Sequence, residues 1–416
     1  MFAIGLFFYN IFLALYAMAV RIVSLFNPKA KKWLRGRRNW RKKLQEDLQA
    51  GEKRIWMHCS SLGEFEQGRP VLEALRRQYP GYKIVLTFFS PSGYEIRKDY
   101  DQADYVLYLP ADGERNATDF IDLVKPSLVI YVNYEFWYHY LHTLQQRQIP
   151  TILISAAFRK SQAFFKPYGA FFRRMLQCFS FIFVQDDESK QLLASIGLKD
   201  RVAIGGDTRY DRVAGIAAQV QPIPEIDRFR SGHKILIAGS TWPGDETMLK
   251  ECLPVLPPDW KLIIAPHEID TTHIRKIQQL FGEDASTLHS SIDYMKKILI
   301  INNIGMLSRL YACGDIAFIG GGFQKGGIHN VLEPAVFGLP VIFGPVYEKF
   351  VEAKELAAAG YVFPVSNADA CKTVLQKLIS DYTYRSTLHN NLLNFMRQHT
   401  GATQRTLDKI AVSGWL

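Results

Sequence analysis

The sequence predicts an α/β protein of two domains, each a parallel β-sheet flanked by helices, with an apolar helix in front of them. Three observations predict this class. The chain has 416 residues, 48% of them apolar, which is enough for two large cores. Short apolar runs alternate with amphipathic stretches, as is typical of βαβ units. Residues 2–20 carry one strongly polar side chain, Asn10.

The first element is this apolar segment. Its nineteen residues approach the roughly 20 that a helix needs to cross a bilayer, so residues 1–27 are predicted to form a membrane-anchor helix. A cleavable signal peptide is an alternative, because Ala17-Met18-Ala19 resembles a cleavage site. A buried core helix, or one lying on the membrane surface, is another. Cations follow the run and none precede it, which favours an anchor with the body in the cytosol.

The second element, residues 28–50, is basic. Nine Lys and Arg lie between Lys29 and Lys43 without an acidic residue, and they account for nine of the ten net positive charges. Nucleic-acid-binding folds spread their cations over many elements, so nucleic acid is disfavoured as a partner. We expect the segment to lie against an anionic membrane surface. The five cysteines form no CxxC pair, so neither a disulfide framework nor a metal site is indicated.

The two sheets come next. Strands of the first are predicted at 54–58, 83–89, 105–109, 127–132, 150–155, 180–184 and 201–205. Strands of the second are predicted at 234–239, 261–265, 296–301, 315–319, 340–343 and 361–364. Residues 214–232 hold two prolines and no strand pattern, which indicates a linker. Two Rossmann-like domains follow, at 51–213 and 233–416. Ligands of such sheets bind beyond the carboxyl ends of strands, so we expect the domains to face each other across a cleft.

In the first domain, the chemistry is predicted to lie directly after the first strand. The sequence His58-Cys59-Ser60-Ser61-Leu62-Gly63-Glu64 leads into a helical pattern, which puts Glu64 at a strand-to-helix junction. A carboxylate there can simply stabilise the helix N-terminus. It can also act as a general base toward a substrate hydroxyl. For His58 and Cys59 we expect packing.

In the second domain, glycines mark the most informative loop. Gly320 to Gly322 follow a strand, and Gly326-Gly327-Ile328-His329-Asn330 precede a helix expected to start near His329. This arrangement is typical of a phosphate cradle, although structural turns use the same residues. Glu333, one turn into that helix, is placed to bind ribose hydroxyls. The sequence has neither the dinucleotide fingerprint nor a Walker A motif, which disfavours NAD enzymes and P-loop kinases.

Three further loops of the second domain follow strands. They are residues 239–246, 265–268 and 303–306. Each can contribute backbone groups to a nucleotide, and each is also compatible with an ordinary turn.

Five motifs together indicate a family. They are HCSSLGE, GDTRYD, APHE, GGGF and GGIHNVLEPAVFGLPVIFGP. In order and spacing they resemble the 3-deoxy-D-manno-octulosonic acid (Kdo) transferases of lipid A biosynthesis, glycosyltransferase family 30, over nearly the whole chain. The resemblance implies the GT-B fold, CMP-Kdo as donor, the lipid A precursor as acceptor, inversion at the anomeric carbon without metal or cofactor, and the cytoplasmic face of the inner membrane as location.

The resemblance also implies roles for individual residues. Glu64 would be the general base, and Arg209 would stabilise the transition state where relatives often have Lys. Asn133 would belong to the catalytic set, at a position two before Glu135 where relatives usually have an acidic residue. The implied CMP contacts are Pro266, His267, Ile304, Gly305, Met306, Asn330, Val331, Leu332 and Glu333. His267 stands where relatives usually have Arg.

Two other functions fit parts of the pattern. Another GT-B nucleotide-sugar transferase or an epimerase would share the Gly-rich loop but would not need the apolar helix with its cations. A membrane-anchored binding protein without activity would keep the fold and bind no nucleotide.

Overall fold

A computed structural model describes residues 2–416, which divide into two compact units. Unit 1 comprises residues 1–212 and 399–416, and unit 2 comprises residues 213–398. Each unit is built around one seven-stranded sheet in which every strand pairing is parallel. The predicted fold class, two Rossmann-like domains, is confirmed.

Unit 1 begins with three helices and continues as alternating strands and helices. Its elements are α1 (Phe2–Val23), α2 (Pro28–Gly36), α3 (Trp40–Asp47), β1 (Lys53–Cys59), α4 (Leu62–Gln78), β2 (Tyr82–Phe88), α5 (Pro91–Arg97), β3 (Tyr105–Tyr108), α6 (Glu114–Val124), β4 (Pro126–Val132), α7 (Tyr138–Gln146), β5 (Thr151–Ala156), α8 (Ala170–Leu176), β6 (Phe181–Val184), α9 (Asp187–Ala194), β7 (Val202–Ile204) and α10 (Thr208–Ala218), which continues into unit 2. The strand order is β3-β2-β1-β4-β5-β6-β7, so the direction of winding reverses between β1 and β4. Ligands of doubly wound sheets bind at such a switch point.

Unit 2 repeats this architecture. Its elements are α11 (Pro224–Arg230), β8 (Lys234–Thr241), α12 (Pro243–Cys252), β9 (Trp260–Pro266), α13 (Thr271–Phe281), β10 (Ser286–Leu288), β11 (Ile298–Ile300), α14 (Leu307–Leu310), β12 (Ile316–Ile319), α15 (Leu332–Ala335), β13 (Val341–Phe343), α16 (Val351–Ala358), β14 (Val362–Pro364), α17 (Ala368–Ser380) and α18 (Tyr382–His399). The strand order is β10-β11-β9-β8-β12-β13-β14, with the switch point between β8 and β12. Every predicted strand is present, and the short β10 is the one that the sequence pattern missed.

The domain boundaries differ from the predicted ones at the end of the chain. The last helix, α19 (Ala402–Val412), lies in unit 1 although residues 233–416 were predicted to form one domain. Leu407 and Ile410 are buried in the unit 1 core. Asp211 accepts hydrogen bonds from the backbone N–H of Gly401 and of Thr403, both at 2.6 Å. The chain therefore returns to the first unit. The predicted linker, 214–232, contains the last five residues of α10 and all of α11.

The apolar helix α1 lies against unit 1. The Tyr9 hydroxyl donates to Asp112 at 2.6 Å, and Asn10 Oδ1 is 2.8 Å from Nε2 of His139. Leu6 and Tyr9 pack on the core, whereas Phe7 and Phe8 are each 62% exposed. By length and composition α1 is the one helix of residues 2–416 that qualifies to cross a membrane. Tyr9 and Asn10, however, are hydrogen-bonded to the domain.

The basic segment is only partly a surface cluster. Seven of its nine cations are exposed, but Arg37 and Arg41 are not. Arg37 donates to three backbone carbonyls, those of Trp33, Phe89 and Leu109, at 2.7–3.1 Å. Burial lowers the pKa of Arg37 to about 9. Arg37 therefore holds α2 to the loops after β2 and β3, which a charge count along the sequence does not reveal.

Replacing Arg37 should destabilise unit 1. In Arg37→Ala three carbonyls lose a charged donor, so we expect the free energy of unfolding to fall by about 2–4 kcal/mol. The neighbouring Arg38 is exposed. Arg38→Ala should therefore change the free energy of unfolding by no more than about 0.5 kcal/mol. Urea unfolding followed by tryptophan fluorescence measures both. Equal stabilities of the two variants would show that Arg37 is a surface charge.

Candidate active site

The candidate catalytic residues of unit 1 lie at its switch point. β1 ends at Cys59 and β4 ends at Val132, and the two strands are direct neighbours in the sheet. The loop after β1 leads to Glu64, and the loop after β4 carries Asn133 and Glu135. Two segments some seventy residues apart in sequence thus meet at the edge where ligands of this fold bind.

Glu64 is fixed by the start of α4. Ser61 is the N-cap residue, and its hydroxyl accepts from the Glu64 N–H at 3.4 Å. In return the Glu64 carboxylate accepts from the backbone N–H of Ser60 and, at 3.2 Å, from that of Ser61. This reciprocal arrangement is a capping box. Glu64 does stabilise the helix N-terminus, and its carboxylate is held in one orientation as a result.

Glu135 is the residue that the sequence interpretation passed over. It is buried, and Nε1–H of Trp137 donates to its Oε2 at 2.5 Å. Nε2 of His58 lies 3.3 Å from the same oxygen, and Nδ1 of His58 lies 2.8 Å from the Thr87 hydroxyl. His58 is thus not a packing residue alone, because it links the sheet to Glu135. The E-x-W spacing was the available signal, since it puts an indole donor two residues after a carboxylate.

The two carboxylates raise the proton affinity of the site. Burial, and secondly the negative charge of Glu135, raise the pKa of Glu64 to about 8, against the opposing effect of the two backbone hydrogen bonds. Desolvation and a neighbouring like charge both disfavour the ionised form. Glu64 therefore titrates near neutral pH, as a general base should.

Arg209 and Asn133 are placed by local structure. Arg209 lies in the first turn of α10 and pairs with the buried Asp207, whose Oδ2 is 2.7 Å from its guanidinium. Asn133 has a left-handed backbone with φ of 63°, which Asn tolerates better than most residues. Its conformation turns the chain from β4 toward Glu135. Its buried Oδ1 has no hydrogen-bond partner among residues 2–416.

Glu66, two residues beyond Glu64, is unsuited to act as a base. Its carboxylate lies 2.7 Å from Arg97 and 3.2 Å from Arg212. These cations occupy its oxygens.

In unit 2 the switch point is formed by the loops after β8 and β12. A Cβ on Gly320 would lie 2.2 Å from the Ser240 carbonyl oxygen, and one on Gly322 would lie 2.4 Å from the Gly344 nitrogen. These two glycines let the loops after β8, β12 and β13 pack backbone against backbone. A Cβ on Gly326, in contrast, would have no atom within 4 Å. Of the glycines expected to admit a ligand, Gly320 and Gly322 are thus used in loop packing, whereas Gly326 lies at an open surface.

The helix after the glycines differs from the predicted one. It was expected to start near His329, but α15 spans only Leu332–Ala335. The side chain of Asn330 accepts from the Leu332 N–H at 3.1 Å and donates to Glu333 at 3.2 Å. The turn at Gly338, with φ of 72°, follows directly. A helix of one turn has a small dipole, so the phosphate cradle cannot depend on it.

Asp245 connects the two loops of this switch point. Its Oδ2 accepts from the backbone N–H of Gly321 and of Trp242, both at 2.9 Å. It is fully buried, and burial raises its pKa to about 6. The Gly321 N–H is therefore used within the protein and is not free to bind a phosphate.

Three rings are stacked beside the Gly-rich loop. His267 stacks on both Trp242 and His329, at ring-centroid distances of 4.7 and 4.5 Å. Nε1–H of Trp242 donates to Nε2 of His329 at 3.1 Å, and burial lowers the pKa of His329 to about 4. The rings adjoin a cavity of about 550 Å³ that also includes Lys325. Trp242, His329 and Lys325 were not singled out from the sequence; the aromatic after the first strand of this domain was the available signal.

The other implied CMP contacts fall into two groups. Pro266, Val331 and Leu332 are buried. Ile304 is 85% exposed, and Gly305 has a left-handed backbone with φ of 92°. Met306 directly precedes α14 as its N-cap residue.

One group of side chains has metal-binding geometry. The ligand atoms of Glu268, Asp270 and His273 lie within 4.8 Å of one another. Asp270 caps α13, and both ring nitrogens of His273 are already engaged, one with Glu246 and one with a backbone carbonyl. The group is accounted for by local structure.

Comparison with known proteins identifies the family. A sequence model of the family described as 3-deoxy-D-manno-octulosonic-acid transferase (kdotransferase) matches residues 35–212. A 3-deoxy-D-manno-octulosonic acid transferase of Haemophilus influenzae is 30% identical over 372 residues, or 85% of this chain and 86% of that protein. The chain belongs to the Kdo transferase family. It is a glycosyltransferase of lipopolysaccharide biosynthesis, as the motifs predicted.

Two further likenesses agree with this assignment. The Kdo transferase of Aquifex aeolicus is 28% identical over 343 residues, covering 81% of this chain and 89% of that one. UDP-GlcNAc 2-epimerase from Neisseria meningitidis superposes with a TM-score of 0.60 at 18% identity, covering 86% of this chain and 99% of that one. At that identity the epimerase shares the fold alone. This Kdo transferase therefore has the GT-B fold.

Asp245 should make the stability of unit 2 depend on pH. Because its pKa is raised to about 6 in the folded state, its contribution is complete below about pH 4 and is lost as the pH rises through about 6. Asp245→Asn keeps an acceptor for both N–H groups but does not titrate. We expect urea unfolding of the variant to depend less on pH in this range than that of the wild type. Equal pH dependence of the two proteins would contradict the assignment.

Proposed function

We propose that the enzyme transfers Kdo from CMP-Kdo to the lipid A precursor, lipid IVA, with inversion at the anomeric carbon. Glu64 removes the proton from a glucosamine hydroxyl of the acceptor, which then attacks the donor. The observation that carries this proposal is the half-buried Glu64 carboxylate, fixed by two backbone N–H groups and raised in pKa to about 8.

The supporting residues of unit 1 have separate tasks. Glu135 raises the basicity of Glu64 and is itself held by Trp137 and His58. Arg209, oriented by Asp207, offsets the negative charge that develops on the departing CMP. Asn133 shapes the loop that carries Glu135, and its amide lies where relatives usually have an acid.

Unit 2 binds the donor. We assign CMP to Pro266, His267, Ile304, Gly305, Met306, Asn330, Val331, Leu332 and Glu333. The exposed Gly305 turn suits a nucleotide base, and Glu333 suits the ribose. His267 stacks on the rings of Trp242 and His329, so its orientation is fixed. Relatives usually have a cation at this position. The reaction as proposed uses no metal and no cofactor beyond the sugar nucleotide.

The membrane surface is the proposed location. The exposed face of α1 is apolar, and seven cations of the basic segment are exposed. Because Tyr9 and Asn10 are bonded to the domain, α1 fits a helix that lies in the interface rather than one that crosses the bilayer. Anionic headgroups then attract the cations from the cytoplasmic face of the inner membrane.

Mass spectrometry of the product tests the function. Incubation of the enzyme in detergent with CMP-Kdo and tetra-acylated lipid A precursor should yield an acceptor heavier by one or more Kdo residues. UDP-sugars should yield none, and calorimetry should show binding of CMP but not of UDP. Absence of any Kdo-containing product would overturn the proposal.

A pair of isosteric variants tests the base. Glu64→Gln should lower kcat by at least about a hundredfold, since general base catalysis typically contributes roughly 10²–10⁴-fold. It should leave CMP affinity unchanged. Glu66→Gln, two residues away on the same helix, should retain transfer within severalfold. Comparable turnover of the two variants would remove Glu64 from the role of base.

The pH profile tests the influence of Glu135. The base must be ionised, so kcat/KM should rise with pH and level off above the Glu64 pKa of about 8. Glu135→Gln removes the neighbouring negative charge and keeps an acceptor for Trp137, so the rising limb should move to lower pH. A limb at the same pH in both proteins would show that Glu135 does not act on the base.

A further inference from the structure

An apolar cavity lies between α1 and the body of unit 1. Its volume is about 400 Å³, within the roughly 300–1,000 Å³ of small-molecule sites. From α1 it is lined by Leu13, Ala14 and Ala17 on the inward side and by Arg21 at one end. The remaining wall comes from α2 and from the loops after β2, β3 and β4.

A continuous series of aromatic rings forms one wall of this cavity. Tyr16 contacts Trp33 at 6.0 Å between ring centroids, and Trp33 contacts Phe89 at 5.6 Å. Phe89 stacks on Trp137 at 4.7 Å. Trp137 is the residue whose indole N–H donates to Glu135. The cavity therefore leads from the apolar helix to the carboxylate pair at the switch point.

The polar groups of the wall are satisfied internally. Asp112 accepts from the Tyr9 hydroxyl and from the backbone N–H of His139 and of Tyr140. Asn116 donates to a backbone carbonyl and accepts from Arg41. These groups make no demand on a ligand, so the cavity offers an occupant mainly apolar contact. The exceptions are Nε1 of the buried Trp33, which has no hydrogen-bond partner among residues 2–416, and Arg21, an exposed cation at the edge.

We propose that this cavity holds one fatty acyl chain of the lipid acceptor. The proposal rests on the proposed function and adds a binding site to it. The apolar walls match a hydrocarbon chain, Arg21 matches the negative charge of the same lipid, and the aromatic wall ends beside the carboxylates. The cavity is also continuous with the exposed apolar face of α1, from Phe8 to Leu15, so a chain can enter from the bilayer without crossing water.

The same features disfavour other occupants. A protein partner needs about 20–30 residues on each side, whereas twelve residues line this cavity. A nucleotide would leave its phosphates next to apolar walls and Asp112. The acyl chain is the occupant whose chemistry matches all the walls.

Filling the cavity tests the proposal. Ala17→Phe occupies the space, whereas Ala19→Phe adds the same side chain on the exposed side of the same helix, outside the lining. For Ala17→Phe we expect KM for the tetra-acylated acceptor to rise by at least about tenfold, since the chain loses its apolar contacts. KM for CMP-Kdo should not change. With a glucosamine disaccharide phosphate that lacks acyl chains, Ala17→Phe and wild type should have equal rates. Ala19→Phe should behave as wild type throughout.

A binding assay separates this inference from the proposed function. A dansyl-labelled dodecanoic acid should receive energy from Trp33 and Trp137 on binding to wild type and to Ala19→Phe. Ala17→Phe should bind it at least about tenfold more weakly. Equal binding by all three proteins would overturn the acyl site whatever the activity. Probe binding that depends on Ala17, in an enzyme that forms no Kdo product, would overturn the function alone. Ala14→Phe, also in the lining, replaces Ala17→Phe if thermal unfolding shows that the latter is misfolded.

Discussion

The repulsion between Glu64 and Glu135 is the interaction on which the rest of the site depends. The half-buried Glu64 carboxylate and the buried Glu135 carboxylate are each held by hydrogen bonds, and each is held differently. The capping box of α4 fixes Glu64, and Trp137 with His58 fixes Glu135. Burial, and secondly the negative charge of Glu135, raise the pKa of Glu64 to about 8. The fold thereby gives a helix-capping residue the raised pKa that the proposed role of base requires.

Unit 2 uses the same position in the sheet for a different purpose. Its switch point also contains a buried carboxylate, that of Asp245, but both of its hydrogen bonds go to loop backbone. Asp245 therefore joins the loops after β8 and β12 instead of facing a partner acid. Gly320 and Gly322 allow the same loops to touch. The result is a rigid edge beside which Trp242, His267 and His329 stack and the cavity with Lys325 opens.

Local patterns in the sequence predicted the strands and the position of Glu64, because apolar runs and strand-to-helix junctions are coded by neighbouring residues. Glu135 escaped notice because its importance comes from the pairing of β1 with β4, which brings together loops seventy residues apart. Arg37 was counted as a surface charge for the same reason: its three acceptors come from distant loops. The return of α19 to unit 1 depends on hydrogen bonds to Asp211 and on core contacts. Neither alters the alternation of strand and helix patterns along the sequence, so the pattern did not reveal it. The four-residue α15 is flanked by Asn330, whose side chain accepts from the Leu332 N–H, and by the glycine turn at Gly338.

Direct titration of the Glu64 carboxyl tests the account at its centre. The ¹³C resonance of enzyme labelled at Cδ of glutamate can be assigned to Glu64 by its absence in Glu64→Gln. The account predicts that this resonance titrates near pH 8 and that its midpoint falls in Glu135→Gln. A midpoint near the ordinary glutamate value of about 4.3 would contradict it, because Glu64 would then carry no sign of burial beside a second charge.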